Sequence, residues 1–80
     1  MNFMLWIEDR CVRHSRISGG VNALWRDYRR WLEGRELASC TLGQFCELLE
    51  QDGTSVMEVA GTVLVPGLGL EEDLRAALKF

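Results

Sequence analysis

The feature that most constrains this chain is an unbroken apolar stripe in its first half. The apolar residues recur at three- and four-residue steps, the spacing of one face of an α-helix: Val21, Leu24, Trp25, Tyr28, Trp31 and Leu32. The charged residues between them are expected to face away: Arg26, Asp27, Arg29, Arg30 and Glu33. Gly34 follows, and glycine enters the left-handed backbone region without strain. We therefore predict a helix over residues 20–33 that ends at Gly34.

Length and composition place this helix in one small folded unit. Eighty residues with 48% hydrophobic and 26% charged side chains fit a single globular domain over 1–80. No apolar run reaches the roughly 18 to 20 residues that cross a bilayer, and Glu8 and Asp9 interrupt the apolar start, which argues against a signal peptide. Three cysteines without such a signal favour reduced thiols and a cytoplasmic location.

Two further helices are predicted on either side of the stripe. A helix over 2–13 follows from the helical spacing of Phe3, Met4, Trp6, Ile7 and Cys11. A helix over 42–52 follows from a second stripe, made of Leu42, Phe45, Cys46, Leu48 and Leu49. Thr41 and Gln44 match a capping box at its start, and Gly53 is expected to close it.

The hydrophobic period then changes from helix to strand. "SVMEV" and "TVLVP" predict a hairpin over 55–65 with its turn at Ala60 and Gly61, and Pro66 is expected to end the second strand. A last helix over 70–79 is suggested by its early acids and late basic residues. Three helices followed by a hairpin predict an α+β fold, the winged helix-turn-helix, whose third helix would enter the major groove of DNA.

The residues themselves resemble a known family. "FMLWIEDRCV", "VNALWRDYRRWLE", "TLGQFCELLEQDG" and the hairpin are similar to the winged-helix module at the C-terminal end of phage- and plasmid-type primase–helicase proteins. The likeness covers residues 3 to 65 and rests on Trp6, Cys11, Leu24, Trp25, Tyr28, Trp31, Thr41, Phe45, Leu49 and Gly53. It implies the fold and a phage, plasmid or integrated-element origin. The ATPase that precedes the module in that family is not among these 80 residues, so no helicase or primase activity carries over.

The sequence gives little support for an enzyme, a metal or a cofactor. The carboxylate pairs Glu8-Asp9 and Glu71-Glu72 lack a placed base, and adjacent helical residues point apart. "GLGL" lacks the lysine of a phosphate loop. The cysteines fit core positions better than zinc ligands, and the tryptophans fit the core better than a platform for stacking bases. We expect no enzyme activity, no metal and no cofactor.

Charge is the remaining functional signal. The net charge of −3 divides into an excess of three arginines over acids in residues 1–35 and an excess of six acids over basic residues in 36–80. Guanidinium forks bind phosphate bidentately, so the candidate nucleic-acid-binding residues are Arg26, Arg29, Arg30 and Arg35, with Gln44 as a reader of adenine. Internal pairing is the open alternative, with Arg29 bonded to Glu33 and Arg10 or Arg13 bonded to Asp9.

A second hypothesis follows from the outward face of the third helix and the hairpin, which is acidic where a DNA reader would be basic. The residues concerned are Glu47, Glu50, Asp52 and Glu58. They favour a protein-interaction or inhibitor module that occupies the basic site of a nucleic-acid-binding host protein. DNA and a protein partner are thus both candidate partners, and no membrane partner is expected.

Overall fold

Four α-helices and one three-stranded antiparallel sheet make up residues 2–77, which is the part of the chain that our computed structural model describes. In chain order the elements are α1 (Asn2–Arg10), β1 (Cys11–Gly20), α2 (Val21–Gly34), α3 (Leu42–Gln51), β2 (Met57–Val59), β3 (Thr62–Leu70) and α4 (Glu71–Ala77). The sheet order is β1-β3-β2. The predicted α+β class is therefore confirmed.

The core forms where the helical stripes meet the inner face of the sheet. Its centre is an aromatic cluster of Phe3, Trp6, Tyr28 and Phe45, whose ring centroids lie 5.1 to 5.9 Å apart, several of them edge to face. Leu24, Leu49, Val65 and Leu68 are fully buried around it. The helices α1, α2 and α3 therefore pack on each other through side chains that the periodicity of the sequence identified.

The first predicted helix is too long. It was expected over 2–13, but α1 ends at Arg10 and the chain continues as β1, paired antiparallel with β3 from Cys11 opposite Leu70. Cys11 is buried in the hydrophobic core, as the helical spacing implied, but it is the first residue of a strand. A short apolar repeat cannot distinguish a buried helical position from a buried strand position.

The second hairpin strand also runs further than predicted. Pro66 was expected to end it, yet β3 continues to Leu70. The last partner of β2 is Leu64, opposite Met57, so β3 has lost one neighbour before the proline is reached. The remaining neighbour, β1, shifts register between Arg13 and Ser18, and Ser18 lies opposite Pro66. A proline without an amide donor is tolerated at such an irregularity.

Turn and cap chemistry agree with the sequence at three places and differ at one. The Thr41–Gln44 capping box is present, Gly53 follows α3 with φ +83°, and the hairpin turns at Ala60 and Gly61. The left-handed residue after α2 is Glu36, at φ 57°, whereas Gly34 lies inside the helix.

The remaining element bounds differ from the prediction by a few residues at most. α2 and α3 lie within one residue of the predicted bounds at each end, and the hairpin strands occupy 57–59 and 62–70. The last helix begins at Glu71, and residues 78 and 79 of the predicted helix lie outside the described residues.

The turn residue Ala60 gives the first testable prediction. Ala60 has φ 51° and Gly61 has φ 81°, as in a type I′ hairpin turn, which needs positive φ at both positions. Only glycine adopts that region without steric cost, so Ala60→Gly is expected to raise the free energy of unfolding by about 0.5 to 1 kcal/mol. Gly61→Ala is expected to lower it by about 1 kcal/mol, although a Cβ there would touch nothing within 4 Å. Urea denaturation measures both, and a destabilised Ala60→Gly would contradict this account.

Candidate nucleic-acid interface

Three arginines converge on the outer side of α2. Arg26, Arg29 and Arg30 line a shallow groove of about 430 Å³ together with Glu33. The opposite side of the same helix is fixed against the core by Val21, Leu24, Tyr28 and Leu32, all buried. Because a helix buries one face and exposes the other, burial of the apolar stripe is what presents the arginines to solvent.

Arg29 is held by a tryptophan. Its guanidinium carbon lies 4.9 Å from the centre of the Trp25 ring, a cation–π distance. The indole is fixed in turn, because its Nε1 donates a hydrogen bond to the backbone oxygen of Cys40 at 3.0 Å. The Arg29 Nε is buried and has no hydrogen-bond partner within residues 2–77. The stack orients the guanidinium plane without neutralising its charge.

Arg35 does not belong to this group. Its guanidinium lies 4.2 Å from the centre of the Trp31 ring and 3.7 Å from a carboxylate oxygen of Asp9. The same Asp9 accepts a hydrogen bond from Trp31 Nε1 at 2.9 Å. Arg35 thus joins the end of α2 to α1 and does not line the groove with Arg26, Arg29 and Arg30.

The other arginines divide into paired and unpaired sets. Within residues 2–77 the ion pairs engage Arg10, Arg13, Arg35 and Arg75. No ion pair in this part of the chain involves Arg16, Arg26, Arg29 or Arg30. The internal pair considered for Arg29 and Glu33 does not form there, and Asp9 pairs with Arg35 instead of Arg10 or Arg13. The α2 groove therefore keeps its positive charge.

Asp27 was predicted to face solvent but lies in the core. It is 4% exposed and accepts hydrogen bonds from Trp6 Nε1 at 2.9 Å and from Arg10 Nε and Nη2 at 3.2 and 2.9 Å. The sequence indicated that Asp27 could be buried, because this residue precedes Trp31 by four residues and so lies beside the apolar stripe. An acidic residue beside a buried stripe needs a cation, and only the fold shows that Arg10 provides it.

Ionisation in this region follows from burial and pairing. Burial by itself would raise the pKa of Asp27, but the hydrogen bonds from Arg10 and Trp6 and the charge of Arg10 outweigh it and lower the pKa below its ordinary value. Arg10 has its pKa raised, chiefly by its hydrogen bond to Asp27. Burial, with a smaller effect of Asp27, raises the pKa of Cys11 to about 12, so this thiol stays protonated at neutral pH.

Gln44 takes part in the cap of α3, and this role competes with a contact to DNA. Its Oε1 accepts a hydrogen bond from the Thr41 backbone N–H at 2.9 Å, and its own backbone N–H donates to Thr41 Oγ1 at 3.1 Å. A bidentate contact to adenine needs that same oxygen as an acceptor. While the capping box is formed, it holds the Gln44 side chain against the start of α3, and only the second lone pair of Oε1 and the amide NH2 remain for a base.

The predicted acidic residues occupy three different settings. Glu47 and Glu50 are exposed on α3, and Glu58 is exposed on β2. Asp52 is engaged, accepting from Arg13 Nη2 and from Thr54 Oγ1 at 2.6 Å each. The hydrogen bond from Thr54, assisted by the bond and charge of Arg13, lowers the pKa of Asp52. The four residues therefore do not act as one equivalent set.

Comparison with known proteins adds no relative. No family model, no curated protein and no solved structure matches this chain. Within residues 2–77 no group of three or more His, Cys, Asp or Glu side chains is placed to hold a metal ion. No helix in that range is long and apolar enough to cross a membrane.

The Asp27 network predicts a large loss of stability on neutralisation. Asp27→Asn leaves the half-buried Arg10 and the indole N–H without their charged acceptor, so the free energy of unfolding at pH 7 is expected to fall by about 2 to 3 kcal/mol. Asp9→Asn is the control, because Asp9 is exposed and its loss should cost less than about 1 kcal/mol.

Comparison of the wild-type protein with Asp27→Asn predicts how the free energy of unfolding depends on pH. A carboxyl whose folded-state pKa is lowered stabilises fully above its unfolded pKa of about 3.9 and loses that contribution as the pH falls through the folded value. The wild-type protein should therefore lose stability more steeply below about pH 5 than Asp27→Asn does. Urea denaturation between pH 7 and pH 3 measures both slopes, and parallel slopes would contradict the assignment.

Proposed function

We propose that this chain is a winged helix that binds the phosphate backbone of DNA, as a non-enzymatic accessory module of a phage, plasmid or integrated element. The observation that carries the proposal is the α2 groove, where Arg26, Arg29 and Arg30 have no ion-pair partner within residues 2–77. Arginine is suited to such contacts, since its planar fork bonds two phosphate oxygens and its charge is permanent.

The order of elements supports the winged-helix part of the proposal. A helix, a strand and two helices precede a hairpin, and the first strand pairs with the second strand of that hairpin. In helix-turn-helix proteins the third helix would read bases while the preceding helix crosses the backbone. The resemblance of residues 3 to 65 to the primase–helicase module favours the same fold and the same biological setting.

The distribution of charge favours backbone contact by α2 over base reading by α3. The exposed positions of α3 include Glu47 and Glu50, which repel phosphate, and Gln44 is engaged in the capping box. The α2 groove presents three guanidiniums at positions i, i+3 and i+4, which lie on neighbouring parts of the helix surface. Binding by such a surface contacts phosphates and carries no base-specific information.

Salt dependence tests this function. Each phosphate neutralised in duplex DNA contributes about −0.9 to the slope of log K against log salt concentration, so three arginine contacts predict a slope of about −2.7. Arg26→Ala/Arg29→Ala/Arg30→Ala should abolish both the binding and its salt dependence. Fluorescence anisotropy of a labelled random duplex, between about 50 and about 200 mM salt, gives the slopes.

Single variants matched in charge complete the experiment. Arg30→Ala and Arg75→Ala each remove one exposed arginine, but only Arg30 lines the groove. We expect Arg30→Ala to lower the magnitude of the slope by about 0.9 and Arg75→Ala to leave it unchanged. Equal effects of Arg30→Ala and Arg75→Ala on the slope would show that the net charge of the protein, and not the groove, determines binding. Absence of binding at about 100 μM wild-type protein and low salt would overturn the proposal.

A further inference from the structure

The end of the β2–β3 hairpin, residues 57–63, is apolar, exposed and nearly uncharged. Glu58 is the only charged residue between Gly53 and Leu70. Four large hydrophobic side chains of this region are exposed: Val56 at 42%, Met57 at 50%, Val59 at 50% and Val63 at 38%. Met57 and Val59 share one face of β2 and Val63, opposite Glu58, lies on the other, so apolar side chains are exposed on both faces beside the edge.

The hairpin also leaves one strand edge open. β2 pairs with β3 alone and lies at the end of the β1-β3-β2 order. Val59 and Thr62 flank the two-residue turn, and such a closing pair exchanges both of its backbone hydrogen bonds. The next pair, Glu58 and Val63, is then of the non-hydrogen-bonded kind. The backbone N–H and C=O of Glu58 therefore point away from β3, toward the open edge.

Proteins usually protect such an edge, and here the protection is slight. Lysine, proline, bulges and covering loops are the common devices, and β2 has none of them. The short length of β2 and the charge of Glu58 are the two features that limit unwanted pairing of this edge with another chain. The outward donor and acceptor of Glu58 have no backbone partner within residues 2–77, and together with the flanking Met57 and Val59 they match the requirements of an added strand.

The charge of Glu58 selects the occupant of this edge. A second copy of the chain could pair all three residues of β2 only in an antiparallel register centred on Glu58, which sets two carboxylates directly opposite on the same face. Like charges in that position are destabilising, whereas an opposite charge is favourable. A strand with a basic residue opposite Glu58 is thus preferred over a second copy.

We propose that the open edge of β2 binds an extended strand of a protein partner that carries a basic residue opposite Glu58 and an apolar residue on each side of it. Backbone hydrogen bonds at Glu58 provide the attachment, and contacts with Met57 and Val59 provide apolar burial. This surface is separate in sequence and chemistry from the α2 groove. It does not depend on DNA binding.

Titration with short peptides, followed by nuclear magnetic resonance of the full chain, tests the proposal. The probe is an extended peptide with a central Val-Lys-Val, and its control has Val-Glu-Val. The Lys peptide should shift the Glu58 amide resonance in a saturable manner at millimolar concentrations, as suits a short strand. The Glu peptide should bind about threefold more weakly or worse, because the cross-strand pair becomes repulsive.

Variants of Glu58 separate the edge from general electrostatics. Glu58→Lys should reverse the preference between the two peptides, which a loss of folding could not do. Glu58→Pro, followed through the amide resonances of Met57 and Val59, should show no response to either peptide, because the variant removes the outward N–H while the bonds between Val59 and Thr62 remain. Glu47→Lys is the charge-matched control on α3 and should leave the preference unchanged.

Three outcomes would overturn the proposal. The first is a Glu58 amide that does not respond to about 2 mM Lys peptide. The second is a preference that Glu47→Lys reverses as well, which would mean that net charge decides. The third is a dimer, detected by light scattering, that strengthens in Glu58→Gln and disappears in Glu58→Pro, since a second copy would then occupy the edge. Arg26→Ala/Arg29→Ala/Arg30→Ala should bind the peptides normally, so failure of this proposal is distinguishable from failure of DNA binding.

Discussion

The bond between Asp27 and its two partners is the interaction on which the rest of the structure depends. A carboxylate that is 4% exposed is unfavourable unless donors surround it, and here the indole of Trp6 and the guanidinium of Arg10 do so. The contact sets the position of α1 on α2, because both donors come from α1. Arg10 also reaches Glu72 at 3.2 Å, which connects α4 to the same point. The buried carboxylate of Asp27 on α2 is thereby connected to α1 directly and to α4 through Arg10.

This internal pairing determines which charges are left for function. Arg10, Arg13 and Arg35 hold elements together through Asp27, Asp52 and Asp9. The α2 arginines lie on the helix face that the core does not use, and the Trp25 stack orients one of them without cancelling its charge. Glu47, Glu50 and Glu58 have no such role in residues 2–77 and are exposed on α3 and β2. The described part of the molecule therefore has a basic surface on α2 and a second, apolar surface on the hairpin that carries Glu58.

Sequence periodicity predicted the elements correctly where only one kind of secondary structure explains the spacing of the buried residues. The α2 stripe, the α3 stripe with its capping box, and the hairpin turn are all found as predicted. It failed at Cys11, which is a buried strand residue at a spacing that also suits a helix, and at Pro66, where loss of the β2 neighbour made the residue tolerable. Among the candidate site residues, Arg26, Arg29 and Arg30 come together as predicted, whereas Arg35 is paired elsewhere and Gln44 serves a cap.

The sequence by itself determined the three helical segments, the turn and the α+β class, because these follow from local spacing and local backbone preference. It also determined that the first half of the chain is basic and the second half acidic. Only the tertiary structure decided which charges neutralise one another, since Arg10 and Asp27 are seventeen residues apart and Arg13 and Asp52 thirty-nine. Pairing over such separations depends on how helices and strands pack, and packing is decided by the whole core at once. For that reason the α2 arginines that have no ion pair in residues 2–77, and the open edge of β2, became visible only in the folded chain.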